Sequence, residues 1–127
     1  MSKVRGNDDL SIVLGEFENA SVITLRGEWD VANREQLRET LHALGAERDV
    51  LVDLREASFF DSTALGELIA LYKRLNGNGR RLEALVGASN MRRLLELTNL
   101  DALIGVVPER AQYLNDRLPR PAWPVQD

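Results

Sequence analysis

The sequence predicts a single α/β domain in which a mixed β-sheet of about five strands packs with about four helices. Two strand-like segments follow one another before residue 30 with no helix between them, which is typical of an antiparallel pair. From residue 50 onward, strand-like segments alternate with helical ones, which indicates right-handed crossovers and a largely parallel sheet. The 127 residues are enough for one such core and too few for two.

The first two strands are predicted at 11–17 and 21–27, separated by a turn at 18–20. Side chains alternate between the two faces of a strand. Ile23 and Leu25 are therefore expected on one face of the second strand.

The middle of the chain is predicted to form a helix, a strand and a second helix. Segment 31–44 is helical because leucines recur at helical spacing, at Leu37, Leu41 and Leu44. The nearly continuous apolar run 50–54 indicates a strand buried on both faces of the sheet. Segment 62–75 is predicted as a helix whose apolar stripe consists of Leu65, Leu68, Ile69, Tyr72 and Leu75.

The last third is predicted to continue the alternation. A strand, a helix, a strand and a final helix are expected at 81–86, 91–97, 103–107 and 109–118. Pro108 can open the final helix, because proline suits a first helical turn. The chain is thus divided into a flexible N-terminus at 1–10, one domain at 11–118 and a proline-rich tail at 119–127.

The composition excludes several classes of function. A formal net charge of −4 argues against nucleic-acid binding, which needs a concentrated basic face. The chain has no cysteine and one histidine, His42, so we expect no metal site and no cofactor. It shows neither a signal peptide nor the roughly 20 apolar residues that cross a bilayer, which predicts a cytoplasmic protein without direct membrane insertion.

Two predicted loops lie after the carboxyl ends of strands, where ligands and partners usually meet an open α/β sheet. The first, 27–30, places two acids around Trp29, which is either a core anchor or an interface residue. The second, 58–63, brings two phenylalanines, one acid and two hydroxyls to the start of helix 62–75.

The start of this helix allows two compatible interpretations of Asp61 and Ser62. Both are preferred N-cap residues, because their oxygens accept unpaired backbone N–H groups, which is worth about 0.5–2 kcal/mol. A helix N-terminus also accommodates a phosphate, since free amides and the positive end of the dipole favour negative charge. Phosphorylation of Ser62 would add a charge of about −1.5 to −2 beside Asp61 and near Asp30, which predicts repulsion of a partner.

Four short motifs carry a family resemblance, and they stand at 27–30, 52–54, 61–66 and 97–100. The most specific reads Asp61-Ser62-Thr63-Ala64-Leu65-Gly66. Over about residues 10–117, the chain resembles a STAS domain of the bacterial anti-sigma factor antagonist type.

The resemblance implies a non-enzymatic regulator that acts by partner switching. In this family the unphosphorylated antagonist binds an anti-sigma factor that is also a serine kinase, which frees a sigma factor for transcription. The kinase holds ATP and Mg²⁺ and phosphorylates the serine that corresponds to Ser62, which releases the complex. A serine phosphatase then resets the antagonist. We expect a monomer or weak dimer.

By position, the resemblance implies that Asp30, Asp61 and Thr63 lie with Ser62 in the partner-binding surface. Thr63 occupies a hydroxyl position that is usually serine.

Two departures from the family pattern concern the same surface. Ala64 stands where glycine is most frequent, and its methyl is expected to limit the approach of a partner while it firms the first helical turn. Of Phe59 and Phe60, one ring is expected in the core. The other, assigned to Phe60, is expected in the partner surface, because aromatics are enriched in interface centres.

Two alternatives compete with this function. A serine hydrolase needs a base, but His42 lies in the middle of a predicted helix and no Gly-x-Ser-x-Gly elbow surrounds Ser62. An accessory subunit of a lipid or anion transport complex, or a component of a stress-sensing complex, has the same fold and stays open.

Overall fold

The computed structural model describes residues 10–17, 20–86 and 90–107, and it confirms the mixed α/β class. The strands are β1 (Ser11–Phe17), β2 (Ala20–Trp29), β3 (Asp49–Asp53), β4 (Ala57–Phe60), β5 (Leu82–Leu85) and β6 (Gly105–Val107). The α-helices are α1 (Arg34–Ala43), α2 (Ser62–Gly77) and α3 (Asn90–Leu97). Short 3-10 helices at Val31–Asn33 and Leu100–Ala102 precede α1 and β6.

The strands form one six-stranded sheet with the order β1-β2-β3-β5-β6, and β4 pairs with β2 outside this path. β1 runs antiparallel to β2, and the other pairings are parallel. β2 has 10 residues, so its first half pairs with β3 and its last three residues with β4. The mixed sheet is therefore confirmed, with one strand more than expected.

The core lies between this sheet and the helices. Ile23 and Leu25, which were predicted to share one face of β2, are both fully buried in it. Every residue from Val50 to Leu54 is also buried, which confirms a central strand covered on both faces. The buried face of α2 consists of Ala64, Leu65, Leu68, Leu71 and Leu75. Each of the four buried leucines stabilises the fold by roughly 1.5–3 kcal/mol.

β4 replaces part of the loop expected at 58–63. It pairs with the end of β2, and the register shifts between Gly27 and Glu28. Gly27 has a φ of +93°, which glycine adopts without the strain of a Cβ atom. Its N–H donates to the Glu56 carbonyl at 3.0 Å. The bulge places Trp29 opposite Phe60, so both loops of interest meet at one edge of the sheet.

Helix and strand boundaries differ from the expected ones by a few residues. α1 begins at Arg34 because the three residues before it form a 3-10 turn. α2 continues to Gly77, and the chain then turns at Gly79, whose φ is +73°. β6 begins at Gly105 because a 3-10 turn occupies the preceding segment.

Several expectations fall on residues that the structure does not describe. These are most of the N-terminal segment, residues 18 and 19 of the first turn, the helix at 109–118 and the tail at 119–127. Among the described helices, none combines the length and apolar character that crossing a membrane requires.

Candidate functional site

Asp61 is the N-cap of α2 and ties that helix to the end of β2. One carboxylate oxygen, Oδ1, accepts the Ala64 N–H at 2.9 Å. The other, Oδ2, accepts the Val31 N–H at 3.1 Å. The Asp61 N–H in turn donates to the Trp29 carbonyl at 3.1 Å. Both carboxylate oxygens are therefore engaged with backbone amides, so Asp61 is a cap and a cross-link between two loops.

Asp30 plays a similar part in the neighbouring loop. Its Oδ1 accepts the Ala32 N–H at 2.9 Å, and its own N–H donates to Asn33 Oδ1 at 2.9 Å. The Asn33 amide also donates to the Glu28 carbonyl at 3.0 Å. This reciprocal capping fixes the 3-10 turn and leaves Asp30 half-buried beside Val31.

Ser62 is the first residue of α2 and is exposed. Its hydroxyl makes no hydrogen bond to any residue in the described part of the chain. Thr63, the second hydroxyl, is half-buried. The structure thus assigns the capping to Asp61, and it leaves the Ser62 oxygen open to solvent at a helix N-terminus.

The aromatic residues of the two loops divide between core and surface. Trp29 is fully buried, and its indole N–H donates to the Arg26 carbonyl at 3.1 Å, so it is a core anchor. Phe60 is 3% exposed and packs in the core, whereas Phe59 is 48% exposed. The expectation that the Phe60 ring is the exposed one was wrong, because this ring points into the core. Phe59 is the aromatic that a partner can reach.

Ala64 also needs correction as a partner-binding residue. Its side chain is fully buried in the core, so its methyl faces away from any partner. The residue that leaves space on the exposed face is Gly66, one turn after Ser62. A Cβ atom added at Gly66 would meet no atom within 4 Å.

An ion pair joins the two helices that begin at this edge. Arg34 Nε lies 3.0 Å from Glu67 Oε2, which connects the start of α1 to the second turn of α2. Together with Asp61 and Val31 it holds the two helix N-termini side by side. The acids Glu28, Asp30 and Asp61 lie at the same edge, at the end of β2, in the turn that follows it and before α2.

The one histidine of the chain lies away from this edge. His42 is exposed near the end of α1, and its Nε2 lies 3.4 Å from Arg74 Nη1. Because Arg74 lies about three turns after Ser62 on α2, His42 is far from Ser62. Within residues 10–17, 20–86 and 90–107, no group of three or more His, Cys, Asp or Glu is placed to hold a metal ion.

Sequence reasoning missed Val31, Phe59 and Gly66 as surface features. Val31 is 68% exposed although it is apolar, and its N–H is the group that Asp61 holds. The Phe59 and Phe60 orientations could not be read from alternation, since β4 was not recognised as a strand. Gly66 carried a signal, because a glycine inside an exposed helical face is unfavourable without a reason outside the helix.

Comparison with known proteins places the chain among related domains. A family model described as "Mlab, STAS domain" matches residues 12–108. The anti-sigma-B factor antagonist of Staphylococcus aureus (strain NCTC 8325 / PS 47) is 35% identical over 86 residues, which are 66% of this chain and 80% of that protein.

Solved structures share the fold at lower identity. An anti-sigma factor antagonist from Mycobacterium paratuberculosis aligns with a TM-score of 0.75 and 22% identity, covering 89% of this chain and 97% of that chain. The unphosphorylated form of the anti-sigma factor antagonist SpoIIAA aligns with a TM-score of 0.66 and 22% identity, covering 84% and 96%. The phosphorylated form of the Bacillus protein SpoIIAA aligns with a TM-score of 0.60 and 21% identity, covering 84% and 100%.

Proposed function

The chain belongs to the STAS domain family, and we propose that it acts as an anti-sigma factor antagonist controlled by phosphorylation of Ser62. In its unphosphorylated form it binds an anti-sigma factor that is also a serine kinase, and this binding frees a sigma factor. The domain itself performs no catalysis.

The observation that carries the proposal is the division of roles between Asp61 and Ser62. The cap of α2 is complete without the serine, because Asp61 accepts the Ala64 N–H. The Ser62 hydroxyl is exposed and has no hydrogen bond within the described part of the chain. A hydroxyl in this position can enter a kinase active site without any disruption of the helix.

In the proposed transfer step, the Ser62 oxygen attacks the γ-phosphorus of ATP held by the partner. The bond from that phosphorus to the ADP oxygen breaks, and the serine proton passes to a base of the kinase. ATP and Mg²⁺ belong to the partner, so this chain only has to present the hydroxyl in line with the phosphate. A phosphatase later returns the serine by hydrolysis.

The phosphate acts on the partner more than on the domain. It adds a charge of about −1.5 to −2 to a surface that already holds Glu28, Asp30 and Asp61. The N-terminus of α2 tolerates this charge, because the helix dipole and the free N–H groups of its first turn are favourable to an anion. A bound partner instead meets repulsion and desolvation costs at the same point, so the complex dissociates.

Capture and titration test this function. The full chain is used as bait in a native lysate, and the captured partner is identified by mass spectrometry. We expect an anti-sigma factor with a kinase domain that adds one phosphate to Ser62 in the presence of ATP. In calorimetric titrations of that partner, Ser62→Ala should bind persistently, and Ser62→Glu should bind about tenfold or more weakly.

Asn76→Glu provides the charge control, because Asn76 is also exposed on α2 but lies at the opposite end of that helix from Ser62. Asn76→Glu should bind more tightly than Ser62→Glu and should leave phosphorylation intact. A phosphate found elsewhere with Ser62 unmodified would refute the site. Recovery of lipid or anion transporter subunits in place of an anti-sigma factor would replace the proposed function with that of a transport accessory subunit.

A further inference from the structure

An apolar groove runs between β4 and α3, beside the loop that carries Ser62. It has a volume of about 230 Å³ and is lined chiefly by Phe59, Met91, Leu94 and Leu97, with Arg93 at its rim. We refer to it as the β4–α3 groove. Met91 is buried and Leu94 half-buried, so the floor is continuous with the core of the domain.

The two walls of the groove expose unusually large apolar side chains. Phe59 is 48% exposed on the strand side and Leu97 is 69% exposed on the helix side. Single exposed apolar residues need no explanation, but two that border one concave surface lined by further apolar residues mark an interaction site.

Arg93 places a positive charge at the rim of the groove, and this charge forms no ion pair with an acid in the described residues. Six other arginines pair with acids, namely Arg26, Arg34, Arg38, Arg48, Arg55 and Arg81. Arg93 is exposed and forms no ion pair with an acid in the described residues, although the chain has a formal net charge of −4. An unpaired cation beside an apolar groove is complementary to an acidic residue that accompanies an apolar one.

The groove is continuous with the surface proposed for the anti-sigma factor. Phe59 precedes Phe60 on β4, and Phe60 leads directly into Asp61 and Ser62. A partner that covers Ser62 therefore meets the chain within three residues of Phe59. The phosphate of a modified Ser62 is carried on α2, whereas the far wall of the groove is formed by α3.

We propose that the β4–α3 groove seats an apolar side chain of the anti-sigma factor, next to an acidic residue that pairs with Arg93. This inference rests on the proposed function and divides the interface into two parts. The Ser62 part responds to phosphorylation, and the groove part contributes affinity in either state. The groove thus contributes to the affinity of the complex, while phosphorylation of Ser62 determines when the complex dissociates.

Three variants with matched controls test the anchor against the captured anti-sigma factor in pure form. Phe59→Ala and Leu97→Ala should each weaken binding about tenfold, as anchors near an interface centre do. Val13→Ala is the control, since Val13 is 51% exposed on β1 and does not line the groove. Arg93→Glu should weaken binding about fivefold or more. Arg80→Glu is its control, because Arg80 is an exposed arginine without an ion pair in the described chain.

Thermal unfolding of each variant separates loss of binding from loss of fold. Phosphorylation of Ser62 in each variant is then measured at a saturating concentration of the partner. It should remain complete, because the acceptor serine is unchanged. Unchanged affinity in Phe59→Ala, Leu97→Ala and Arg93→Glu, with Ser62→Glu still weak, would overturn the groove and keep the proposed function. Equal affinity of Ser62→Ala and Ser62→Glu, or capture of no anti-sigma factor, would remove both.

Discussion

At the scale of single residues, neighbouring side chains in one loop have separate tasks. Both carboxylate oxygens of Asp61 accept hydrogen bonds from backbone amides, one in its own helix and one at Val31 on the loop after β2. Ser62 makes no such bond in the described chain. The capping by Asp61 and the proposed phosphorylation of Ser62 are therefore separable by mutation, which a serine N-cap would not have allowed.

Substitutions at Asp61 should separate its two bonds. Asp61→Ala removes both acceptors and should lower the free energy of unfolding by about 1–3 kcal/mol. Asp61→Asn keeps one acceptor for the cap, since asparagine caps as well as aspartate, and should cost about 1 kcal/mol. Urea unfolding measures both changes.

Hydrogen exchange gives the matched readout for the two bonds. The Val31 amide should exchange faster in Asp61→Ala, which removes its acceptor. It should also exchange faster in Asp61→Asn, in which the asparagine NH₂ group faces Val31. The Ala64 amide should exchange faster in Asp61→Ala alone. Equal protection of Val31 in wild type and Asp61→Ala would show that the link between the loops does not hold.

The start of α2 at Asp61 and Ser62 could be predicted from the sequence, but the orientation of the surrounding side chains could not. A motif at a predicted helix start was enough to single out Ser62 and Asp61. Whether Phe59 or Phe60 faced inward depended on a bulge in β2 that shifts the pairing register, and no local pattern encodes that shift. Ala64 was misassigned because its helical phase places it against the core, a position that only the packing of α2 decides.

At the scale of elements, α2 carries a glycine that its own stability does not require. Gly66 lies on the exposed face, and a Cβ atom there would meet nothing within 4 Å. Alanine is more favourable than glycine inside a helix by about 0.5–1 kcal/mol. The chain forgoes this stabilisation one turn from Ser62, where a partner backbone would come closest.

Gly66→Ala should therefore stabilise the protein and weaken the complex. The free energy of unfolding should rise by about 0.5–1 kcal/mol. Affinity for the anti-sigma factor should fall about tenfold, because the added methyl keeps the partner from the helix surface. Urea unfolding and calorimetric titration measure the two effects on the same samples.

Gly77→Ala is the control on the same helix. Gly77 ends α2 and also has open space around it, so the substitution should not lower stability by strain. It lies at the opposite end of the helix from Ser62 and should leave binding unchanged. If Gly66→Ala and Gly77→Ala bind equally well, Gly66 has no part in the interface.

The elements themselves were predicted to different degrees. β2, β3 and α2 carry strong periodicity or a continuous apolar run, and the structure confirms each of them. β4 has four residues and alternates poorly, because its pairing begins across the bulge at Gly27. A strand of this kind is fixed by its neighbour and not by its own sequence.

At the scale of the whole molecule, the core and the regulated surface are well separated. The core lies between the sheet and the helices, while Ser62 lies at the edge where the loops after β2 and β4 meet. The α2 cap is complete without the serine, because Asp61 accepts the Ala64 N–H. Under the proposed function, a phosphate on Ser62 is therefore expected to change the surface without any change in the architecture.

Phosphorylated protein should give a nearly unchanged backbone NMR spectrum. Amide signals should move only in residues 28–34 and 59–67, which surround the N-termini of α1 and α2. The midpoint of thermal unfolding should shift by no more than the few degrees that correspond to about 1 kcal/mol. Signals that move throughout β3 and β5 would instead indicate a conformational switch, contrary to the proposed surface mechanism.

The hydrogen bond from Val31 to Asp61 joins residues that are 30 positions apart in the chain. The acceptor surface for a kinase consequently does not exist in any short stretch of the polypeptide. A misfolded copy in which β2 and β4 are unpaired carries the serine motif without the neighbouring turn in place. Under the proposed function, such a copy should be a poor kinase substrate, so that only folded protein would respond to the signal.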